Sequence, residues 1–184
     1  MKFEEGKINI VIVSVNHTDQ ISPLREETRI PEVMEKKEKV RSLVKAIVAS
    51  GRVDLICEES NPCHLSIAQE EAFNRKPRIP WKNINMTSQE RLEAGVWEPL
   101  LYRPYDLEFT DEANAIKIEY RVPEDDVREE FFKDEILRTA KERGAKNVLV
   151  LCGDMHTEAL KRKLENAGCE VKTDRSLTPK KHWH

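Results

Sequence analysis

Three stretches of the chain are apolar without alternation, and each ends abruptly in polar residues. Ile8-Asn-Ile-Val-Ile-Val-Ser-Val15 runs into Asn16-His17-Thr18-Asp19. Val53-Asp-Leu-Ile-Cys57 runs into Glu58-Glu59-Ser60-Asn61-Pro62, and Asn147-Val-Leu-Val-Leu-Cys152 into Gly153-Asp154-Met155-His156. Continuous apolar runs of this length suit strands covered on both faces, the character of a parallel sheet between helices. Helical spacing predicts helices over 32–50, 124–143 and 154–167. The first has its apolar set at Val33, Val40, Leu43, Val44, Ile47 and Val48, with Pro31 at its start and Gly51 at its exit. The second has Val127, Phe131, Ile136, Leu137 and Ala140 on one face before Gly144. The third has Ala159, Leu160, Leu164 and Ala167 on one face before Gly168. Residues 169–172 read as a short closing strand, and 115–122 as an alternating strand with one wetter face.

Residues 74–110 break the pattern. They hold Pro77, Pro80, Pro99 and Pro104 of the nine prolines, and Trp81, Trp97, Tyr102, Tyr105 and Phe109. Thr87 and Glu90 make a capping-box pair that predicts a short helix over 88–94. The rest of the segment does not read as regular core; it is expected to be an irregular insertion, either a lid or contact surface or an arm packed on the domain. The expected architecture is a single three-layer α/β domain over 1–184, with a mostly parallel sheet flanked by helices.

Composition narrows the function classes. The chain has 184 residues, enough for one domain with an insertion. Lys and Arg number 31 against 34 Asp and Glu, a formal net charge of -3. That removes a bulk basic surface as a basis for nucleic-acid binding. The first apolar run is far short of the roughly 20 residues of a membrane span, and Glu4 and Glu5 stand where a secretory signal would carry positive charge. A cytoplasmic chain with no membrane partner is expected. Cys57, Cys63, Cys152 and Cys169 fit no standard zinc spacing; Cys57 and Cys152 lie in apolar runs and read as buried reduced thiols.

In an open parallel sheet, ligands bind beyond the carboxyl ends of the strands. The three apolar runs would deliver His17, Glu58 or Glu59, and His156 to that edge, with Asp19 and Asp154 nearby. Two imidazoles and a carboxylate can hold a divalent ion with positions open for water, or act as a metal-free acid/base set. Each residue also has an ordinary structural role: His17 in a turn, His156 packed at helical spacing with Leu160, Asp154 as a helix N-cap. Glu58 and Glu59 are adjacent, and alternation along a strand sends at most one of them into a given site. Gly153 permits a tight turn or a close approach. The helix start after it presents free N–H groups that favour negative charge. Cys152 beside His156 is a weak nucleophile pair, because a thiol inside an apolar run is inert.

The strand-end pattern resembles that of the TraB/Tiki peptidases, the ChaN-like haem-binding lipoproteins and the erythromycin esterase-like proteins. Gly153–His156 is similar to their late Gly-x-x-His motif. The run Asp54-Leu-Ile-Cys-Glu-Glu59 is similar to their aspartate–apolar–glutamate strand and favours Glu59 by spacing. Ser14-Val-Asn-His17 corresponds to the first histidine motif, with Ser14 where the metal-dependent members have glycine. The likeness covers the first 60 residues and roughly the last 40, and leaves the insertion unmatched. It implies a three-layer α/β fold and a peptidase, esterase or haem-carrier role.

The leading expectation is a metal-assisted hydrolase acting on an amide or ester bond of a small or peptide-like substrate. His17, His156 and Glu59 would hold a divalent ion (Zn, Mn or Co), with Glu59 or Glu58 as general base. Gly153, Asp154 and Asp19 would line the substrate, and Trp81 and Trp97 would form a specificity wall. The alternative is a non-catalytic module binding haem or another small ligand at the same edge. A third expectation assigns 74–110 to self-association as a homo-oligomer or to partner docking.

Overall fold

Isoleucine, valine and leucine fill both faces of the central strands, so each face needs its own cover of helices. The computed structural model describes residues 7–23, 27–60, 64–96 and 123–177. In it, β1 (Asn9–Val15), β2 (Leu55–Glu58), β3 (Trp81–Asn83), β4 (Asn147–Gly153) and β5 (Glu170–Asp174) form one sheet in the order β3-β2-β4-β1-β5. All pairings are parallel. Val15 lies level with Gly153, and Glu58 with Leu151, so β1, β2 and β4 end side by side.

Alternation along the strands divides the core in two. Val13, Val15, Ile56, Leu149 and Leu151 pack under α2 (Pro31–Ala49) and α3 (Ile67–Asn74). Ile10, Ile12, Cys57, Val148, Val150 and Cys152 pack under α5 (Pro123–Arg143) and α6 (Asp154–Asn166). This is the expected three-layer α/β architecture. Two short helices, α1 (His17–Gln20) and α4 (Ser88–Glu93), complete the set with a 3-10 turn at Glu27–Arg29. Helix α4 starts on the expected Thr87–Glu90 capping box. Pro31 opens α2, and Gly51, at φ 70°, follows its end. No helix among the described residues is long and apolar enough to cross a membrane.

Three expectations change. Within 74–96 the chain is not wholly irregular: Trp81–Asn83 adds an edge strand to β2, and Ile79, Ile84, Met86 and Val96 are buried. Three residues between prolines and a polar turn carry too little periodicity to announce a strand; β2 supplies the ladder. The inward face of α5 is also different. Its buried positions are Asp125, Arg128, Glu129, Phe132, Ile136, Thr139 and Ala140, whereas Val127 is 40% exposed. The true phase runs through the polar residues of the first turns, so counting only apolar residues rotated the face. In α6, Ala159, Leu160 and Leu164 are buried as expected, but Ala167 caps the helix at the surface. The expected strand over 115–122, Cys63, Trp97, Tyr102, Tyr105 and Phe109 lie outside the described residues.

Candidate functional site

The carboxyl ends of β2, β4 and β1 meet around one buried carboxylate. Glu59 follows β2 directly, and its N–H donates to Leu151 O at 2.9 Å, which extends the β4 pairing by one residue. Strand alternation then sends Glu58 and Glu59 to opposite faces. Glu59 lies on the α5–α6 side, 1% exposed. Its Oε1 accepts from Arg128 Nη2 at 2.6 Å and its Oε2 from the Gly153 N–H at 3.0 Å. Nε2 of His17 stands 3.5 Å from Oε2, and Nε2 of His156 3.7 Å from Oε1. The structure therefore brings together the two histidines, Glu59 and Gly153.

Burial would push the Glu59 carboxyl up. The charges of His17, His156 and Arg128 and the Gly153 N–H outweigh it and hold the group below the usual carboxylate range. The site thus keeps an anion at its centre.

His17 is presented by a short turn that has its own supports. Asn16 caps α1, its side chain accepting from the Thr18 N–H. The buried Lys37 of α2 donates to Thr18 O and Ile21 O, both at 2.8 Å, closing the other end of that turn. Gln20 donates its amide to Glu59 O at 2.5 Å and stands 3.2 Å from His17 Nδ1. The His17 side chain is 51% exposed, against 6% for His156. His17 is accordingly the solvent face of the cluster. Gly153 is required for space rather than for its φ of -58°. A Cβ there would meet His17 Nε2 at 2.8 Å and Cε1 at 3.3 Å.

His156 sits in the first turn of α6, edge-on to Phe132 with ring centroids 5.6 Å apart. Its Nδ1 is 3.1 Å from Oε1 of the fully buried Glu129. Arg128 is also over the Phe132 ring, 5.5 Å from its centroid, with Nη1 3.8 Å from Asp125. Sequence reasoning missed Asp125, Arg128, Glu129, Gln20 and Lys37. For α5 the signal was present: Asp125, Arg128, Glu129 and Phe132 fall at i, i+3, i+4 and i+7, in phase with Ile136 and Ala140.

Other candidates lie elsewhere. Glu58 is buried on the α2–α3 side, where its Oε2 accepts from Ser66 Oγ at 2.5 Å and Trp81 Nε1 at 2.8 Å. Burial pushes its carboxyl up to about 7, against the pull of those two hydrogen bonds. Neither Glu58 nor Trp81 therefore joins the Glu59 cluster, because β2 alternation and the β3 pairing commit both to the other layer. Asp154 is not an N-cap. Gly153 holds that position, and Asp154 instead accepts from Ser14 Oγ at 2.9 Å and pairs with Arg175 at 3.3 Å. Asp19 is half-buried in the same short helix as His17. Trp97 lies outside the described residues. Cys57 and Cys152 are buried and unbridged; burial pushes Cys57 up to about 12 and raises Cys152 as well, so neither is a thiolate nucleophile.

Among the described residues, no group of three or more His, Cys, Asp or Glu side chains is arranged to hold a metal ion. Both Glu59 oxygens already serve fixed donors, one of them a full guanidinium charge. No family model, curated protein or solved structure matches the chain.

Proposed function

We propose that the chain is a hydrolase that cleaves an amide or ester bond of a small or peptide-like substrate, with His17 as general base and Glu59 as the buried carboxylate behind it. The observation that carries this reading is the contrast at one site: a half-exposed imidazole faces a fully buried carboxylate that is held ionised. Such a pair suits proton transfer at the rim. Gln20 donates towards Nδ1 in the neutral ring, which leaves the Nε2–H facing Glu59. A water taking the place of the Gln20 amide gives its proton to Nδ1 as its oxygen attacks the carbonyl carbon. Glu59 stabilises the imidazolium, and the ring then returns the proton to the leaving amine or alkoxide. The positive end of the α6 helix dipole favours the charge that develops on the carbonyl oxygen. The strand-end resemblance to the TraB/Tiki, ChaN-like and erythromycin esterase-like proteins admits a peptidase or esterase role alongside a haem-carrier one and does not choose between them. The buried free thiols suit a cytoplasmic location.

A metal-assisted version is the second reading, favoured by the convergence of both Nε2 atoms on Glu59 and by Glu129 behind His156, as carboxylates stand behind ligating histidines. His17, His156 and Glu59 would hold the ion, which would supply a water activated near neutral pH. Arg128 weighs against it, since its charge already occupies Glu59 Oε1.

The test is hydrolysis of p-nitrophenyl acetate and of aminoacyl p-nitroanilides, with and without EDTA. Turnover indifferent to EDTA, falling by about 10²–10⁴-fold in His17→Ala, is expected. Loss on chelation with recovery on Zn, Mn or Co selects the metal-assisted version. Absence of turnover together with a Soret band on haem titration overturns both in favour of a binding module.

A further inference from the structure

Helix α5 brings a second acid to the cluster, and its placement on the far side of His156 has a specific chemical meaning. The His156 ring lies between two buried carboxylates, with Glu129 Oε1 3.1 Å from Nδ1 and Glu59 Oε1 3.7 Å from Nε2. A carboxylate oxygen only accepts. The shorter contact therefore requires a proton on Nδ1. Phe132 stands edge-on to the imidazole and fixes its plane, with Nδ1 on the Glu129 side. Glu129 is reached from the same helix turn as Arg128, which holds Glu59. One helical face thus controls both the carboxylate and the imidazole beside it.

We propose that Glu129 is a positioning residue: by accepting the Nδ1–H of His156 it fixes that ring's tautomer and presents Nε2 to Glu59. Glu129, His156, Glu59 and His17 then form one contiguous row, buried at one end and open to solvent at the other, in which the 3.7 Å from His156 Nε2 to Glu59 Oε1 is a close contact and not a hydrogen bond. Glu129 touches no reacting atom in this arrangement and acts through His156. The tautomer claim rests on the geometry alone, while its effect on turnover rests on the hydrolase reading.

The experiment is long-range 1H–15N correlation of the imidazole nitrogens in the full chain, with His156 assigned by its loss in His156→Ala. The wild-type ring should carry a proton on Nδ1. Glu129→Gln, whose side-chain oxygen still accepts, should retain that state, and Glu129→Leu should lose it. On whichever chromogenic substrate is turned over, Glu129→Leu should lower kcat by about tenfold or more with KM unchanged, and Glu129→Gln should recover most of it. A wild-type ring protonated on Nε2 alone would overturn the proposal. So would His156 resonances that do not move in a folded Glu129→Leu variant. If that variant fails to fold, the wild-type tautomer and the Glu129→Gln spectrum still decide. A chain with the expected tautomer and no turnover would sink the hydrolase reading and leave this one standing.

Discussion

Gly153 shows how one missing methyl group can hold a site open. Its N–H binds Glu59 while its bare Cα lets the His17 ring come in against it. In Gly153→Ala the new Cβ would displace a ring that is half in solvent and free to swing outward. The loss should therefore fall on function more than on folding: a stability change within about 1 kcal/mol, with hydrolysis reduced nearly as far as in His17→Ala. Urea unfolding and turnover, measured on the same preparation, check the split. Glu58 makes the opposite case, a charged-type residue that is best neutral. Its carboxyl sits at about 7 in the fold against an ordinary 4.5. The folded chain then binds the proton more tightly than the unfolded one, so this contribution is full below pH 4.5 and is lost as pH rises to about 7. The difference corresponds to ~3 kcal/mol. Glu58→Gln should flatten the fall in melting temperature between pH 5 and pH 8. An unchanged slope would remove Glu58 as its cause.

At the scale of elements, α5 is where reading the sequence went furthest astray, and the reason is physical. Helix phase was inferred from apolar residues, yet the first two turns of this helix face a polar site rather than the core. Val127 is left at the surface, and Asp125, Arg128 and Glu129 go inside. The strands β1, β2 and β4 were legible because both their faces meet apolar layers, which demands unbroken apolar runs. β3 was illegible because three residues hold no period. The site itself was half legible. Residues at strand ends are placed by topology, so His17, His156 and one of the pair Glu58 and Glu59 could be named from order alone, and only the family resemblance favoured Glu59. Residues reaching in from a helix are placed by its phase, which could not. Arg128 carries the charge that makes a buried Glu59 tolerable. Arg128→Met should cost about 3–5 kcal/mol, the usual penalty for leaving a buried charge without its partner. Adding Glu59→Gln to that variant should return a good part of it, as read from paired denaturation curves.

For the whole molecule, the sheet order places the ends of three strands side by side although they are separated by most of the chain. The cluster is complete only when all three are paired, so activity and fold should disappear together on unfolding. The two neighbouring glutamates also give the molecule opposite responses to pH. Glu59, held below the ordinary carboxylate range, contributes stability above 4.5 that is lost as pH falls through its lower folded value. Glu58 contributes on the acid side and fades towards neutrality. These two groups together favour mildly acidic conditions over either extreme.

The doubling of glutamate at the end of β2 has one more consequence. Sliding that strand by a single residue against β4 would exchange its faces, yet an acidic group would still arrive beneath the two imidazoles. Most misalignments of a sheet announce themselves by carrying the wrong kind of side chain to the rim; this one would not. Discrimination falls instead to the neighbours on either side, the Arg128 guanidinium that meets Glu59 and the Trp81 indole N–H that meets Glu58.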